Sequence, residues 1–317
     1  MEKQILKTDR IFVAGHRGLV GSAVVRNLQS KGYNHLLLRT RQELNLLDQQ
    51  AVRAFFEAER PEVVVLAAAK VGGIHANNEN PADFIYENLE IQNNVIRAAH
   101  DYKVKKLLFL GSTCIYPRMA PQPIPEEALL TGELEKTNEG YALAKISGLM
   151  MCRFFKRQYG DNFISCMPTN LYGPNDNFDL KNSHVLPALI RKFHEAKRRG
   201  DETVECWGTG APLREFLHVD DMADACVYLL ENYDGELHVN IGTGEEVSIK
   251  ELSELVAKTV GFSGGIRWNT DMPDGTPKKL TDVTRLHGLG WHHRISLEEG
   301  LKATYRWYLE NEEHRGE

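Results

Sequence analysis

Arg10-Ile11-Phe12-Val13-Ala14-Gly15-His16-Arg17-Gly18-Leu19-Val20-Gly21 is the stretch on which the fold turns. A short apolar run reads as a buried strand, three glycines follow at even spacing, and residues 21–30 then read as a helix. Gly15 permits a tight turn, Gly18 lets backbone approach a ligand, and Gly21 lets helix pack against strand. A helix beginning there aims its unpaired N–H groups and partial positive charge at the loop, which suits phosphate. A glycine-rich turn alone is a weak signal. Its place between the first strand and the first helix makes it a pyrophosphate loop for a dinucleotide.

Outward from the loop, apolar runs alternate with helical patterns. Residues 35–39, 63–69, 106–110 and 163–167 read as strands; 47–59, 82–102 and 141–158 read as helices. Such alternation means βαβ units and a parallel sheet, a doubly wound Rossmann α/β fold. After Pro168 the elements shorten, punctuated by Pro174, Pro187, Pro212, Pro273 and Pro277. The expected organisation is a Rossmann domain over 1–168, with 215–241 returning to it through strands at 215–219 and 238–241. Residues 169–214 and 242–317 form a smaller C-terminal α+β substrate lobe, ending in a helix at 297–309.

The 317 residues suffice for a sizeable core, and the net charge of −6 with scattered Lys and Arg argues against nucleic acid as partner. Cys114, Cys152, Cys166, Cys206 and Cys226 form no CxxC pair, so neither a metal site nor a disulfide framework is expected. Residues 1–8 have no signal-peptide core, and no stretch reaches the roughly 20 apolar residues that cross a bilayer. A reducing, cytoplasmic setting without membrane attachment is expected.

The end of the second strand selects the cofactor. An NAD site places an acid there for the ribose 2′-hydroxyl. This chain has Leu38-Arg39-Thr40-Arg41, with Arg17 inside the loop. Guanidinium forks suit a 2′-phosphate, so NADP(H) is expected. One of Arg39 and Arg41 is expected to reach it, and Arg41 is favoured. Asp48 is a candidate for the adenine or a plain surface acid.

Tyr141 and Lys145 stand four apart on a helix, hence on one face. A neighbouring ammonium and a cationic nicotinamide favour the phenolate, making the tyrosine a proton donor or acceptor near neutrality. Ser112 follows the fourth strand, at the sheet end where ligands bind, and can bond a substrate carbonyl.

Glycine loop, Ser112 and the Tyr141/Lys145 pair together resemble the short-chain dehydrogenase/reductase superfamily, in its extended branch that modifies sugar nucleotides. Residues 168–174 (PTNLYGP) and 214–221 (REFLHVDD) look like later motifs of that branch. Residues 68–74 (AAKVGGI), 111–117, 182–185 (NSHV) and 274–279 (DGTPKK) are more specific and resemble the GDP-L-fucose synthase family. That family epimerises C3 and C5 of GDP-4-keto-6-deoxy-D-mannose, then reduces the C4 ketone with NADPH. The resemblance implies Ser112, Cys114, Tyr141, Lys145 and His184 as catalytic residues, with Cys114 as base and His184 as acid. It implies cofactor contacts from Gly15, His16, Arg17, Gly18, Leu19, Val20, Gly21, Arg41, Asp48, Leu110, Gly111, Ser112 and Thr113. Tyr141, Lys145, Pro168, Thr169, Asn170, Leu171 and His184 complete that set. Substrate contacts are implied for Lys192, Trp207, Arg214 and Asp274, and a homodimer is implied through the helices at 82–102 and 141–158. Thr113 stands where the family often has Ser, and Lys192 where it often has Arg, which puts the fork-like contact at 192 in doubt.

Two other readings share these residues. A nucleotide-sugar 4-epimerase or 4,6-dehydratase uses the same Tyr and Lys with tightly held NAD, but dehydratases place acids where this chain has Thr113 and Cys114. A non-catalytic NADP-binding regulator commonly loses the Tyr or the Lys, and both are present.

Overall fold

The computed structural model describes residues 4–180, 183–272 and 274–311; Asn182 and Pro273, singled out above, lie outside them, as do residues 1–3 and 312–317. The amino-terminal half runs β1 (Ile11–Ala14), α1 (Leu19–Ser30), β2 (Leu36–Leu37), α2 (Gln49–Glu59), β3 (Val63–Leu66), α3 (Ile74–Glu79), α4 (Pro81–Asp101), β4 (Lys106–Leu110), α5 (Glu139–Tyr159) and β5 (Phe163–Pro168). Then come β6 (Asn170–Tyr172), α6 (Val185–Arg199), β7 (Thr203–Trp207), β8 (Leu213–Arg214), β9 (Phe216–His218), α7 (Val219–Asn232) and β10 (Val239–Ile241). The remainder is β11 (Val247–Ser248), α8 (Ile249–Val260), β12 (Gly265–Asn269), β13 (Lys278–Lys279), α9 (Thr284–Gly288) and α10 (Leu297–Glu310).

Six parallel strands form the main sheet in the order β10-β5-β4-β3-β1-β2. Every residue of β1, β3, β4 and β5 is buried, as strands covered on both faces require. One face carries α1 and α7, whose Val24, Leu28, Met222 and Leu229 pack on Val13, Val65 and Leu108. The other carries α2, α4 and α5, with Phe56, Val95 and Leu149 against Phe12, Val64 and Phe109. A third core joins α6, α8, α10 and β7 through Leu186, Phe193, Val204, Val256, Leu301 and Tyr308.

Several expected elements differ in extent or place. β2 keeps only two paired residues because it is an edge strand, partly exposed and bonded to β1 alone. β3 stops at Leu66: Ala67 N still donates to Ala14 O at 3.1 Å, and the chain then leaves the sheet, opening space at its carboxyl edge. Of the two strands expected to return, only β10 joins the main sheet, beside β5. β9 pairs instead with β6, because β6 leaves the main sheet just after Thr169 and offers a free edge.

Candidate active site

One cleft of about 1910 Å³ lies at the carboxyl ends of the main-sheet strands and is closed from the other side by the C-terminal elements. Its walls include Gly15, His16, Arg17, Gly18, Leu19, Val20, Gly21, Arg41, Leu110, Gly111, Ser112, Thr113, Cys114, Tyr141 and Lys145. Pro168, Thr169, Asn170, Leu171, His184, Lys192, Trp207, Arg214 and Asp274 line it as well. Residues from Gly15 to Asp274 are thus brought to one cavity, as expected from the sequence, with the exception of Asp48. Its carboxylate caps α2, accepting from Gln50 N at 2.9 Å and Ala51 N at 3.1 Å, and it is absent from the cleft wall.

The glycine loop has the build a dinucleotide needs. Gly15 sits at φ +85°, and a Cβ there would lie 2.8 Å from Ala68 backbone atoms; one on Gly21 would lie 2.1 Å from Gly15 O. Gly18 is the N-cap of α1 and supplies no side-chain bond, so the first-turn N–H groups are left for a ligand. His16 Nδ1 and Thr169 Oγ1 are buried, line the cleft and find no partner among the described residues. At the far end of the loop, Arg39 is held by Glu59 at 2.5 Å. Arg17 and Arg41 are exposed in the cleft with no carboxylate at ion-pair distance among the described residues, leaving both guanidinium groups for a phosphate.

The catalytic side chains come from three elements. β4 ends at Leu110, Ser112 begins a 3₁₀ turn over Thr113–Ile115, and its Oγ accepts from Cys114 N at 3.3 Å. The first turn of α5 carries Tyr141, and Lys145 follows one turn later. Lys145 Nζ donates to Leu110 O at 2.8 Å and lies 5.7 Å from the Tyr141 ring centre, so the β4 terminus and α5 fix each other. His184 is the N-cap of α6 and spends no side-chain bond on capping, leaving its ring to the cleft.

Burial dominates the electrostatics of this group. It lowers the Lys145 ammonium to about 8. It raises the Tyr141 phenol, and the neighbouring Cys114 raises it further. Lys145 gives its ammonium to the Leu110 carbonyl, and burial holds the Tyr141 phenol toward its protonated form. Burial also raises the Cys114 thiol, opposed by Lys279, the Ser112 hydroxyl and Lys145. His184 is exposed on the cleft wall, and the surrounding protein and then Lys279 lower its imidazole.

At the other end, Trp207 on β7 is 59% exposed, a flat apolar face, with Lys192 Nζ 5.2 Å from its ring centre. Asp274 is oriented by Thr209, which donates to it from N and Oγ1 at 2.7 Å each. Arg214 on β8 faces the same space.

Two cleft residues had not been singled out one by one. Asp176, in the β6–α6 connection, is buried, with Oδ2 unpartnered among the described residues and its carboxyl pushed up to about 7 by burial. Lys279 was quoted only inside a motif. Nothing in an isolated Asp or Lys signals burial; for Lys279 the remaining clue was the adjacent Lys278, since strand neighbours point to opposite faces.

The chain matches the NAD dependent epimerase/dehydratase family over residues 11–242. It is 63% identical over 305 residues to GDP-L-fucose synthase 1 of Arabidopsis thaliana, covering 96% of this chain and 94% of that one. Among solved structures, a GDP-6-OMe-4-keto-L-xylo-heptose reductase from C. jejuni superposes with a TM-score of 0.92 at 44% identity, covering 97% and 99% of the two chains. A GDP-L-fucose synthetase from Naegleria fowleri bound to NADP superposes with a TM-score of 0.91 at 30% identity, covering 98% and 97%.

Proposed function

We propose, for a chain that belongs to the NAD dependent epimerase/dehydratase family and within it to the GDP-L-fucose synthases, that the cleft converts GDP-4-keto-6-deoxy-D-mannose to GDP-L-fucose. It acts as an NADP(H)-dependent 3,5-epimerase and 4-reductase. The observation that carries this reading is the presence of Cys114 and His184 in the same cleft as Ser112, Tyr141 and Lys145. A plain ketone reductase needs the last three; the first two add an acid/base pair.

Protons at C3 and C5 are acidified by the C4 ketone. The Cys114 thiolate takes one of them, the electron pair moves onto the C4 oxygen, and Ser112 and Tyr141 donate hydrogen bonds to that oxygen. His184, from a different element, returns a proton to carbon; delivery on the opposite face inverts the centre. Cys114 then gives its proton to water and His184 takes one up from water, and the sequence repeats at the second carbon. NADPH, when bound, supplies a hydride to C4. Tyr141 holds the proton that the C4 oxygen then takes, and its raised pKa suits a donor that must stay protonated until the final step. Lys145 braces the Tyr141 helix against the β4 terminus. Arg17 and Arg41 hold the 2′-phosphate, the α1 N-terminus holds the pyrophosphate, and Arg214, Trp207, Lys192 and Asp274 receive the GDP end.

The elements up to residue 168, with α7 and β10 returning to them, form the cofactor half, and the other elements beyond form the sugar-nucleotide half. The protein works as a homodimer in the cytoplasm. Five free, buried cysteines suit a reducing compartment, and no helix among the described residues is long and apolar enough to cross a membrane.

The test is product analysis in D₂O with NADPH and the keto sugar. The expected outcome is one NADPH oxidised per GDP-L-fucose formed, with deuterium at both C3 and C5. Cys114→Ser or His184→Gln should suppress deuterium incorporation while NADPH still binds. Turnover without net NADPH oxidation would make the enzyme an epimerase or dehydratase. Reduction with no deuterium at either carbon would make it a simple reductase.

A further inference from the structure

We propose that Tyr116, whose hydroxyl is clamped between Asn240 and His238, is a positioning residue that sets the turn carrying Cys114 for proton transfer at C3 and C5. The proposal rests on the epimerase reading above and adds to it the device that holds the base in place.

Cys114 is borne on one 3₁₀ turn, Thr113–Ile115. The bonds that close this turn are long: Cys114 N to Ser112 Oγ at 3.3 Å, Ile115 N to Ser112 O at 3.3 Å and Tyr116 N to Thr113 O at 3.4 Å. A turn so loosely closed takes its geometry from what grips its two ends. The leading end is gripped at Leu110, whose carbonyl accepts from Lys145 at 2.8 Å. The trailing end is gripped by Tyr116, two residues beyond Cys114, which is 3% exposed and borders the cleft.

The Tyr116 hydroxyl lies 2.5 Å from Asn240 Oδ1 and 3.0 Å from His238 Nε2. The surrounding bonds fix the direction of each. Asn240 Nδ2 donates to Ile124 O at 3.0 Å and to Asp282 O at 3.2 Å, which uses both amide protons and turns Oδ1 to the phenol. The phenol has one proton and gives it to Oδ1, so from His238 it accepts. Burial, with Arg153 and Arg285 adding to it, lowers that imidazole to about 4, so the ring is neutral and its single proton sits on Nε2. Nδ1 is left as a bare acceptor, buried and without a partner among the described residues. Tyr116 therefore has no proton to lend a sugar, and its hydroxyl is an anchor.

Asn240 is also a junction. It lies on β10, beside β5 in the main sheet, whereas Ile124 follows the Cys114 turn and Asp282 follows β13 of the small sheet. Ile124 N donates to Leu280 O at 2.8 Å, and Asp282 N to Ile124 O at 2.9 Å, so the three segments are locked together. Through Tyr116 the turn is tied to this lock. The small sheet also carries Arg214, so the base is held in register with the end of the cleft that receives GDP.

The experiment follows deuterium wash-in at C3 and C5 of the keto sugar in D₂O, on enzyme loaded with NADP⁺, which cannot reduce it. Rates are taken per bound NADP⁺, so any unfolded fraction drops out. Tyr116→Phe keeps the ring and removes the clamp. It should lower the maximal exchange rate by about tenfold or more, as small misplacements of reacting groups do, with KM for the sugar and NADP⁺ affinity within about twofold of wild type. An exchange rate per site equal to wild type would overturn the proposal and leave the hydroxyl a role in stability alone. A raised KM at an unchanged maximal rate would also overturn it, making Tyr116 a substrate contact. Should Tyr116→Phe bind no NADP⁺, His238→Phe, which removes the other bond to the hydroxyl, is read by the same criterion. A wild-type enzyme that takes up no deuterium would overturn the epimerase reading and this proposal with it. Wild-type uptake beside an unaffected variant would overturn this proposal alone, so the two failures stay distinct.

Discussion

Tyr141 is half-buried on the cleft wall, with Phe84 edge-on at 6.3 Å and Lys145 turned toward a backbone carbonyl. A phenol in such surroundings keeps its proton, which a reductase needs at the moment the C4 oxygen takes up charge. Tyr141→Phe should therefore lower NADPH oxidation by roughly 10²-fold or more, the usual size of a lost general acid, with NADPH binding in a fluorescence titration unchanged. An equal loss of binding would make the hydroxyl a structural group instead. At this scale the sequence was informative wherever chemistry resides in residue type and spacing, as for Ser112, Tyr141, Lys145 and the three glycines. Arg41 was not separable from Arg39 by strand alternation, since residues two apart share a face and both lie beyond β2; what separates them is the ion pair of Arg39 with Glu59. Asp176 and Lys279 were not separable from surface residues, because their character comes from burial by segments far away in the chain. Asp48 carries a local signal that residue type and spacing hold: an Asp two residues before a backbone N–H at a helix start caps it.

Glu215 binds elements together between β8 and β9. It is fully buried, and its carboxylate accepts from Thr243 N at 2.7 Å, Gly244 N at 2.8 Å, Thr281 N at 2.9 Å and Thr281 Oγ1 at 2.6 Å. These bonds tie the loop after β10 and the segment after β13 to the strand pair that carries Arg214, so the small sheet is fastened to the large one. Glu215→Ala strands several buried N–H groups at once and should cost on the order of 3–5 kcal/mol, read as a lower urea midpoint with an unchanged slope. A loss below about 1 kcal/mol would mean that solvent or rearrangement satisfies those donors. The main-sheet strands were readable because burial on both faces produces continuous apolar runs. β8, β11 and β13 were not, since each has two residues whose pairing is decided by distant partners. For α8 the signal was present and unused: Ser248 and Glu251 form a capping box at its start.

The molecule as a whole has three packed cores, two against the main sheet and one under the C-terminal elements, and the cleft opens where they meet. Cofactor and sugar nucleotide therefore approach from different halves, and neither half alone contains both Cys114 and His184 on the division proposed. One outer surface is left to explain. α5 buries Ala142, Ile146 and Leu149 on the sheet side, while Leu143 and Phe154 remain 41% and 49% exposed on its outer side. Tyr86, on the adjacent α4, is 62% exposed. Leu143 and Phe154 are eleven residues apart, about three helical turns, so they lie along one stripe. Two copies facing through α4 and α5 would bury these side chains in a four-helix arrangement, an area that must reach about 1,000 Å² to hold. Sedimentation velocity at micromolar concentration should show a dimer. Leu143→Glu combined with Phe154→Glu should shift it to monomer, since the contact would have to bury two carboxylates per copy, while NADPH binding persists because the cofactor cleft lies on the other side of α5's buried face. A wild-type chain that sediments as a monomer, or a double variant that stays dimeric, would mean that this stripe is not the interface.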